Sequence, residues 1–318
     1  MILVTGANGF VGSALTARLA RSTGAVRAAM RRPPTAREPG VEHVAAPSLS
    51  ADADWRPALK GVSAVVHAAA RVHVMRDDAR DPLAEFRCAN VDGTMALARQ
   101  AAAAGVRRFV FVSSIKVNGE STPPDRPFSA NDVPQPLDPY GISKLEAERA
   151  LGDLARETGL PVVIVRPPLV YGPGVKANFF ALLKWLQRGV PLPLGAIHNR
   201  RSLVALENLV DLLATCVEHP AAPGQTLLVS DGEDLSTTEL LRRLATALGK
   251  RARLVPVPQQ ALIVAARALG AGSIAQRLCG SLCVDIAPTR RLLGWAPPVS
   301  VDEGLRAAAE AFLREARG

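Results

Sequence analysis

The sequence of 318 residues predicts an α/β fold, in which a Rossmann-type doubly wound parallel sheet is followed by a smaller mixed α/β C-terminal region. Three observations predict it. The chain opens on a short apolar run that ends in a glycine-rich turn and leads directly into a helical pattern. Strand-like and helix-like runs then alternate to about residue 170, as in parallel strands joined by right-handed crossovers. Beyond that point the alternation loosens, which indicates a second region.

The first loop has the composition of a phosphate-binding turn. Its three glycines follow a G-x-x-G-x-x-G spacing between the strand and the helix. The first allows a tight turn, the second a close approach of the backbone to a pyrophosphate, and the third close packing of helix on sheet, with the anion at the helix N-terminus. A glycine-rich turn without a ligand is the alternative. The expected contacts to a dinucleotide are Gly6, Asn8, Gly9, Phe10, Val11 and Gly12.

The second strand (25–30) ends at Arg31 and Arg32 rather than at an acidic residue. An Asp or Glu in this place accepts hydrogen bonds from the ribose hydroxyls of NAD, whereas guanidinium groups suit the 2′-phosphate of NADP. Solvated loop charges are the alternative interpretation. The cofactor is therefore expected to be NADP(H) or NAD(H), with a preference for NADP(H).

Small residues follow the fourth strand, where they let a cofactor lie against the backbone. His67 and His73 flank this stretch, but no third ligand accompanies them in the sequence, so they predict loop histidines and no metal site. The expected cofactor contacts here are Ala68, Ala69 and Ala70.

Polar residues suited to acid–base chemistry come next. A helix is predicted over 82–104 with Asn90 at its centre, where the amide needs a role because asparagine does not favour helix interiors. Ser114 ends the fifth strand. In the following helix, Tyr140 and Lys144 share one face, so the ammonium is expected to lower the tyrosine pKa from about 10 towards neutrality. Such a phenol can interconvert an alcohol and a ketone, with Ser114 holding the substrate oxygen.

The chain divides into two predicted regions. Residues 1–166, with about 199–219, are assigned to a dinucleotide-binding domain, and about 167–198 and 220–318 to the smaller region. The helix predicted within 205–218 is expected to return to the main sheet.

Composition and charge limit the classes of function. Hydrophobic residues make up 48% and charged residues 21%, which is ordinary for a globular protein. The formal charge is +9, yet the arginines are scattered along helices, so anionic small ligands are expected and nucleic acid is not. No apolar run reaches the roughly 18 to 20 residues of a membrane span. The four cysteines lack paired spacing and the first strand begins at residue 2, so a cytoplasmic protein without a signal peptide is expected.

These motifs resemble the extended short-chain dehydrogenase/reductases of the nucleotide-sugar epimerase/dehydratase family over nearly the whole chain. The glycine loop matches the family motif, residues 90–94 match its N-x-x-G-T pattern, and residues 166–174 match its R-P and VYGPG segments. The resemblance implies a catalytic set of Ser114, Tyr140 and Lys144. It also implies cofactor contacts by Asn90, Lys144 and Pro167, and allows a homodimer. The substrate implied is a UDP-sugar, with contacts from Ser114, Lys116, Tyr140, Asn178 and Arg201, the last two at its diphosphate.

Residues that differ from the family pattern limit the reactions that this chain is expected to catalyse. Related 4,6-dehydratases carry an Asp-Glu pair after the catalytic hydroxyl, whereas this chain has Ile115 and Lys116, so dehydration is disfavoured. The segment 171–248 most resembles bacterial proteins of surface-polysaccharide synthesis that act at C4 of UDP-N-acetylhexosamines. The expected activity is a 4-keto reductase forming UDP-N-acetylquinovosamine. The alternatives are a 4-epimerase of UDP-glucose or UDP-N-acetylglucosamine with retained NAD+, and a non-catalytic dinucleotide-binding protein.

Overall fold

A computed structural model describes residues 1–34, 38–72, 81–123, 125–270 and 272–316. Seven strands form a parallel sheet in the order β3-β2-β1-β4-β5-β6-β9, and three more form a mixed sheet in the order β10-β8-β7. The strands are β1 (Ile2–Thr5), β2 (Val26–Met30), β3 (Val41–Ala45), β4 (Ala64–His67), β5 (Phe109–Val112), β6 (Val162–Arg166), β7 (Leu169–Tyr171), β8 (Arg201–Ala205), β9 (Thr226–Leu228) and β10 (Asp234–Leu235).

The strands are joined largely by helices, as parallel pairing requires. The helices are α1 (Phe10–Thr23), α2 (Arg56–Leu59), α3 (Pro82–Arg87), α4 (Gly93–Ala103), α5 (Pro139–Thr158), α6 (Ala177–Arg188), α7 (Leu206–Glu218), α8 (Thr237–Ala247), α9 (Gln259–Ala268), α10 (Gly272–Cys279), α11 (Ala287–Leu293) and α12 (Val301–Glu315). A π-helical turn (Cys88–Asp92) joins α3 to α4, and a short 3₁₀ turn (Ile115–Val117) follows β5.

Helices cover both faces of the large sheet, so the predicted doubly wound α/β fold is confirmed. On one face, α1 and α7 pack over the strands through Leu15, Leu19 and Leu209. On the other face, α4 and α5 do so through Leu97 and Leu151. Burial on both faces explains why the strands read as nearly continuous apolar runs rather than alternating ones.

The strand order reverses between β1 and β4, because the chain first builds outward to β3 and then returns to the other side of β1. In open α/β sheets this switch point, at the carboxyl ends of the strands, is where ligands bind. The loops carrying the predicted cofactor residues leave β1, β2 and β4 at this edge.

The start of α5 is fixed by its first residues. Asp138 caps the helix by accepting a hydrogen bond from the Gly141 amide at 2.7 Å, and Pro139 occupies a first-turn position, where proline costs no hydrogen bond. These two residues set where Tyr140 lies at the site edge of the sheet.

The smaller region has its own core, built from β7, β8, α6, α8 and α12. The division predicted from sequence differs from the structure at β9. The prediction assigns residues 220–318 to the smaller region, but β9 pairs with β6 at the edge of the large sheet. A three-residue strand is too short to show a periodicity in the sequence.

Candidate active site

The glycine loop lies against the residues that follow β4. Gly6 has a φ of +66°, and a Cβ there would meet Ala69 Cα at 2.9 Å. A Cβ on Gly12 would lie 2.1 Å from the Gly6 carbonyl oxygen, so the first turn of α1 packs directly on the loop. Neither position has room for a side chain.

The N-terminus of α1 is suited to an anion. Its cap residue is Gly9, which offers no side chain to the free amides, and the first turn contains no acidic residue. The amide groups and the positive end of the helix dipole therefore face the loop without an acidic side chain in the first turn of α1. These residues fit the pyrophosphate of a dinucleotide.

Arg31 and Arg32 directly follow β2 and are both exposed. No hydrogen bond or ion pair joins either guanidinium to another described residue. They are thus available to a ligand phosphate, and the NADP preference stays a prediction.

Asn90 is buried in the π-helical turn, inside the stretch that the sequence predicts as one continuous helix. Its Oδ1 accepts a hydrogen bond from the Arg71 amide at 2.8 Å, and its Nδ2 donates to the Arg71 carbonyl and to Ser143 Oγ, both at 3.0 Å. Through these hydrogen bonds the Asn90 amide holds the segment after Ala68–Ala70 against α5 at Ser143, one residue before Lys144. π-Helical turns often occur at functional sites.

Tyr140, Lys144 and Ser114 meet at the carboxyl end of β5. Tyr140 and Ser114 are half-buried and their hydroxyls share a hydrogen bond. The phenol ring packs edge-on against Phe86, with 6.1 Å between ring centroids. Lys144 is only 2% exposed, and its ammonium lies 4.1 Å from the centroid of the Phe111 ring.

The predicted direction of the tyrosine pKa is wrong. Burial, with the negative charge of Asp138, raises the pKa of Tyr140 to about 12, although the hydrogen bond from Ser114 opposes the rise. Burial also lowers the pKa of Lys144 to about 7, offset in part by Glu148. Removal from water disfavours the charged form of both side chains. The spacing of residues in the sequence does not reveal how deeply a side chain is buried. The phenol is therefore protonated and suited to donate.

The shifted pKa of Lys144 predicts a pH-dependent stability. The unfolded chain keeps the ordinary lysine pKa of about 10.4, so it binds more protons than the folded chain between about pH 7 and 10, and stability rises with pH in that window. Wild type should therefore gain free energy of unfolding relative to Lys144→Met between pH 7 and 9. Urea denaturation of nucleotide-free protein measures this. A difference that does not change with pH would contradict the lowered pKa.

An ion pair beneath the site was not predicted from the sequence. Arg166, at the end of β6, and Glu148 on α5 are both buried, with Arg166 Nε 3.0 Å from Glu148 Oε1. Arg166 also donates to Asn118 Oδ1 at 2.9 Å, and Ser113 donates to Glu148. The sequence did contain an indication, because Glu148 lies four residues after Lys144 on the same face of α5.

His67 is a buried strand residue rather than the predicted loop histidine. It ends β4, its Nδ1 lies 2.7 Å from Thr5 Oγ1, and its Nε2 lies 3.0 Å from Thr94 Oγ1. Burial, aided by the charge of Lys144, lowers the pKa of His67 to about 3, so the ring is neutral. It therefore links β1, β4 and α4 beneath the glycine loop. His73 lies outside the described residues.

The predicted substrate residues occupy different environments. Lys116 pairs with Glu120 at 3.1 Å and with Asp138; burial alone would lower its pKa, but these carboxylates raise it overall. Arg201 is half-buried on β8 and donates to the Gly280 carbonyl at 3.0 Å, while burial lowers its pKa. Asn178 is exposed in the first turn of α6. Their contacts to substrate stay predictions.

Comparisons with known proteins agree with this geometry. The family described as NAD dependent epimerase/dehydratase matches residues 2–229. A UDP-glucose 4-epimerase of Vibrio cholerae is 46% identical over 315 residues, covering 98% of this chain and 95% of the relative. A 2-alkyl-3-oxoalkanoate reductase of Stenotrophomonas maltophilia is 30% identical, covering 96% and 97%. The solved structure of MoeE5 with UDP-glucose and NAD superposes with a TM-score of 0.77 at 28% identity, covering 100% of this chain and 99% of that one.

Proposed function

Because the chain belongs to the NAD-dependent epimerase/dehydratase family, we propose that it epimerises a UDP-hexose at C4 through a reversible oxidation. The arrangement that supports this is the Tyr140 hydroxyl, hydrogen-bonded to Ser114 and one helical turn before the buried Lys144, at the same sheet edge as the glycine loop. The resemblance to the 4-epimerase of Vibrio cholerae over nearly the full length supports epimerisation as the net outcome.

The side chains divide the proton chemistry between them. For oxidation the Tyr140 phenol first loses its proton to solvent, and the phenolate then takes the proton of the sugar C4 hydroxyl. During reduction the phenol so formed returns that proton to the developing alkoxide. Ser114 hydrogen-bonds the same sugar oxygen, and the Lys144 ammonium stabilises the Tyr140 phenolate that is present before oxidation and again after reduction. The dinucleotide that the glycine loop and the start of α1 would hold would supply reversible hydride transfer at C4, with return to the opposite face of the ketone, so that atoms and electrons balance over the cycle.

Backbone amides are proposed to hold the cofactor, and polar side chains the substrate diphosphate. The amides at the start of α1 would bind the pyrophosphate, while the close approach of the Ala69 backbone leaves no room for a side chain at Gly6. The substrate diphosphate is assigned to Asn178 and Arg201. Among the described residues, the Arg201 side chain donates one hydrogen bond, to the Gly280 carbonyl.

A second candidate is the 4-keto reductase that the sequence favoured. The exposed Arg31 and Arg32 support it, because guanidinium groups suit the 2′-phosphate of NADPH, the cofactor that a reductase would consume. In this reaction the Tyr140 phenol donates the proton once, while NADPH is consumed stoichiometrically.

The two reactions are separated by their cofactor balance. Purified enzyme is incubated with UDP-glucose, and separately with UDP-N-acetylglucosamine, with NAD+ at a catalytic amount, and the 4-epimers are quantified. The proposal predicts an equilibrium mixture with no net change in reduced cofactor. Stoichiometric oxidation of NADPH with a UDP-4-keto-6-deoxy-N-acetylhexosamine, and no epimer formation, would establish the reductase instead.

Cofactor choice is tested on Arg31 and Arg32. If they bind a 2′-phosphate, changing both to alanine should weaken NADPH binding by about 1.5–3 kcal/mol for each charge-assisted hydrogen bond that is removed, and leave NADH binding nearly unchanged. Titration of cofactor fluorescence measures both dissociation constants. Equal affinities of the wild type for NADH and NADPH would remove the support for the reductase.

A further inference from the structure

The positive charge of the chain is concentrated in two segments, 176–201 and 250–283, here called the basic segments. Together they contain ten Lys and Arg residues and no Asp or Glu, whereas the rest of the chain contains 28 basic and 29 acidic residues. The net charge of +9 therefore comes entirely from these segments. Nine of the ten basic residues are exposed, and Arg201 is half-buried.

The fold joins the basic segments into one surface region. The Leu192 amide donates to the Arg253 carbonyl at 2.9 Å, and the Val255 amide donates to the Leu192 carbonyl at 2.8 Å. Farther along, Asn199 Nδ2 donates to the Gly280 carbonyl at 2.9 Å. Ten cationic groups thus lie in neighbouring stretches of the smaller region.

The same region exposes apolar side chains. In α9, the spacing of Ala261, Val264, Ala265 and Ala268 gives one helical face, and all four are exposed. The opposite face packs through Leu262 and Ile263 on the core of the smaller region. Val264 is 66% exposed, and Leu269, just after the helix, is 83% exposed.

The apolar exposure extends beyond α9. Six of the twelve exposed large hydrophobic residues of the described chain lie in the basic segments: Trp185, Val190, Val255, Val264, Leu269 and Ile274. Large apolar side chains gathered in one exposed region usually mark an interaction site. The region therefore combines apolar side chains with an excess of basic residues, of which Arg200 is paired with Asp234 at 3.1 Å.

We propose that this surface binds an anionic lipid bilayer. A helix with an apolar outer face and nearby Lys and Arg residues lies in the headgroup layer, where its apolar side chains enter the acyl boundary. Each basic residue near an anionic membrane adds to the attraction. None of the described helices is long and apolar enough to cross a membrane, so the contact is with one surface only.

Charge favours a bilayer over a second copy of the chain. A symmetric contact through this face would place the basic segments of two protomers against each other, and no carboxylate in them could compensate. An anionic lipid surface provides the opposite charge.

The test is co-sedimentation of the purified full chain with vesicles of phosphatidylglycerol and phosphatidylcholine, against vesicles of phosphatidylcholine alone. Wild type should bind the anionic vesicles, release them in roughly 1 M salt, and bind the neutral vesicles weakly. The double variant Val264→Glu/Leu269→Glu should bind anionic vesicles at least about ten-fold more weakly. The matched control is Val133→Glu, which changes a valine 78% exposed outside the basic segments and should bind as wild type does.

A second variant, Arg251→Glu/Arg253→Glu, reverses charge without changing α9 and should also weaken binding to anionic vesicles. Equal binding by wild type and both double variants, or no binding by wild type, would overturn the proposal. A dimer that light scattering detects in wild type and not in Val264→Glu/Leu269→Glu, without vesicle binding, would assign the surface to a second copy instead.

Discussion

Replacing Tyr140 by phenylalanine is expected to lower kcat by roughly 10²- to 10⁴-fold, the range for loss of a positioned acid–base group. The proposed function makes this phenol the proton donor in the reduction step, because burial keeps it protonated and its hydroxyl shares a hydrogen bond with Ser114. Cofactor binding should change little, since the ring contacts Phe86 and phenylalanine preserves that packing. Steady-state kinetics with the UDP-hexose, together with a cofactor titration, measure the two effects separately.

The matched control is Tyr171→Phe, which removes the other tyrosine hydroxyl of the chain. Tyr171 is fully buried and donates to Asp231 Oδ2 at 2.7 Å, so its hydroxyl stabilises the junction of β7 and β8 with the segment after β9. Its removal should reduce stability by about 1–3 kcal/mol, with kcat per folded molecule nearly unchanged. Similar decreases of kcat in both variants would mean that Tyr140 is not the acid–base group.

The sequence predicted the fold and the family because both depend on local patterns. The second strand was predicted at 25–30 and forms at Val26–Met30. The NAD-dependent epimerase/dehydratase family expected from the motifs is confirmed, with its dinucleotide cofactor. The hexosamine subtype and the choice of NADP stay predictions. The π-helical turn at Cys88–Asp92 was not foreseen, because the apolar spacing of a helix containing such a turn resembles that of an unbroken one.

The site was predicted less completely than the fold, because its energetics depend on burial. The spacing of Tyr140 and Lys144 placed the two side chains on one face of α5, as the structure has them. Spacing could not show that both side chains are buried. Burial raises the pKa of Tyr140, which is the opposite of the shift expected from the sequence. Likewise, Arg166 was noted only as part of a motif, since its partner on α5 lies 18 residues earlier in the chain.

Replacing Arg166 by methionine is expected to destabilise the protein by about 3–5 kcal/mol, because it leaves the Glu148 carboxylate buried without its cation. Glu148 would lose two hydrogen bonds from Arg166 Nε, at 3.0 and 3.2 Å. It would also lose the ion pair between its Oε2 and Arg166 Nη2. Only the hydrogen bond from Ser113 would remain among its described side-chain partners. Urea denaturation followed by circular dichroism measures the change in the free energy of unfolding.

The double variant Arg166→Met/Glu148→Met separates the cost of an unpaired charge from the cost of altered packing. A buried ion pair contributes little net stability compared with apolar side chains of similar volume, so the double variant should recover most of the stability. A double variant as unstable as Arg166→Met would contradict this and place the cost in the hydrogen bond from Arg166 to Asn118. Because Glu148 follows Tyr140 and Lys144 on one face of α5, recovered stability with reduced kcat would show that the pair positions α5 for the proposed reaction.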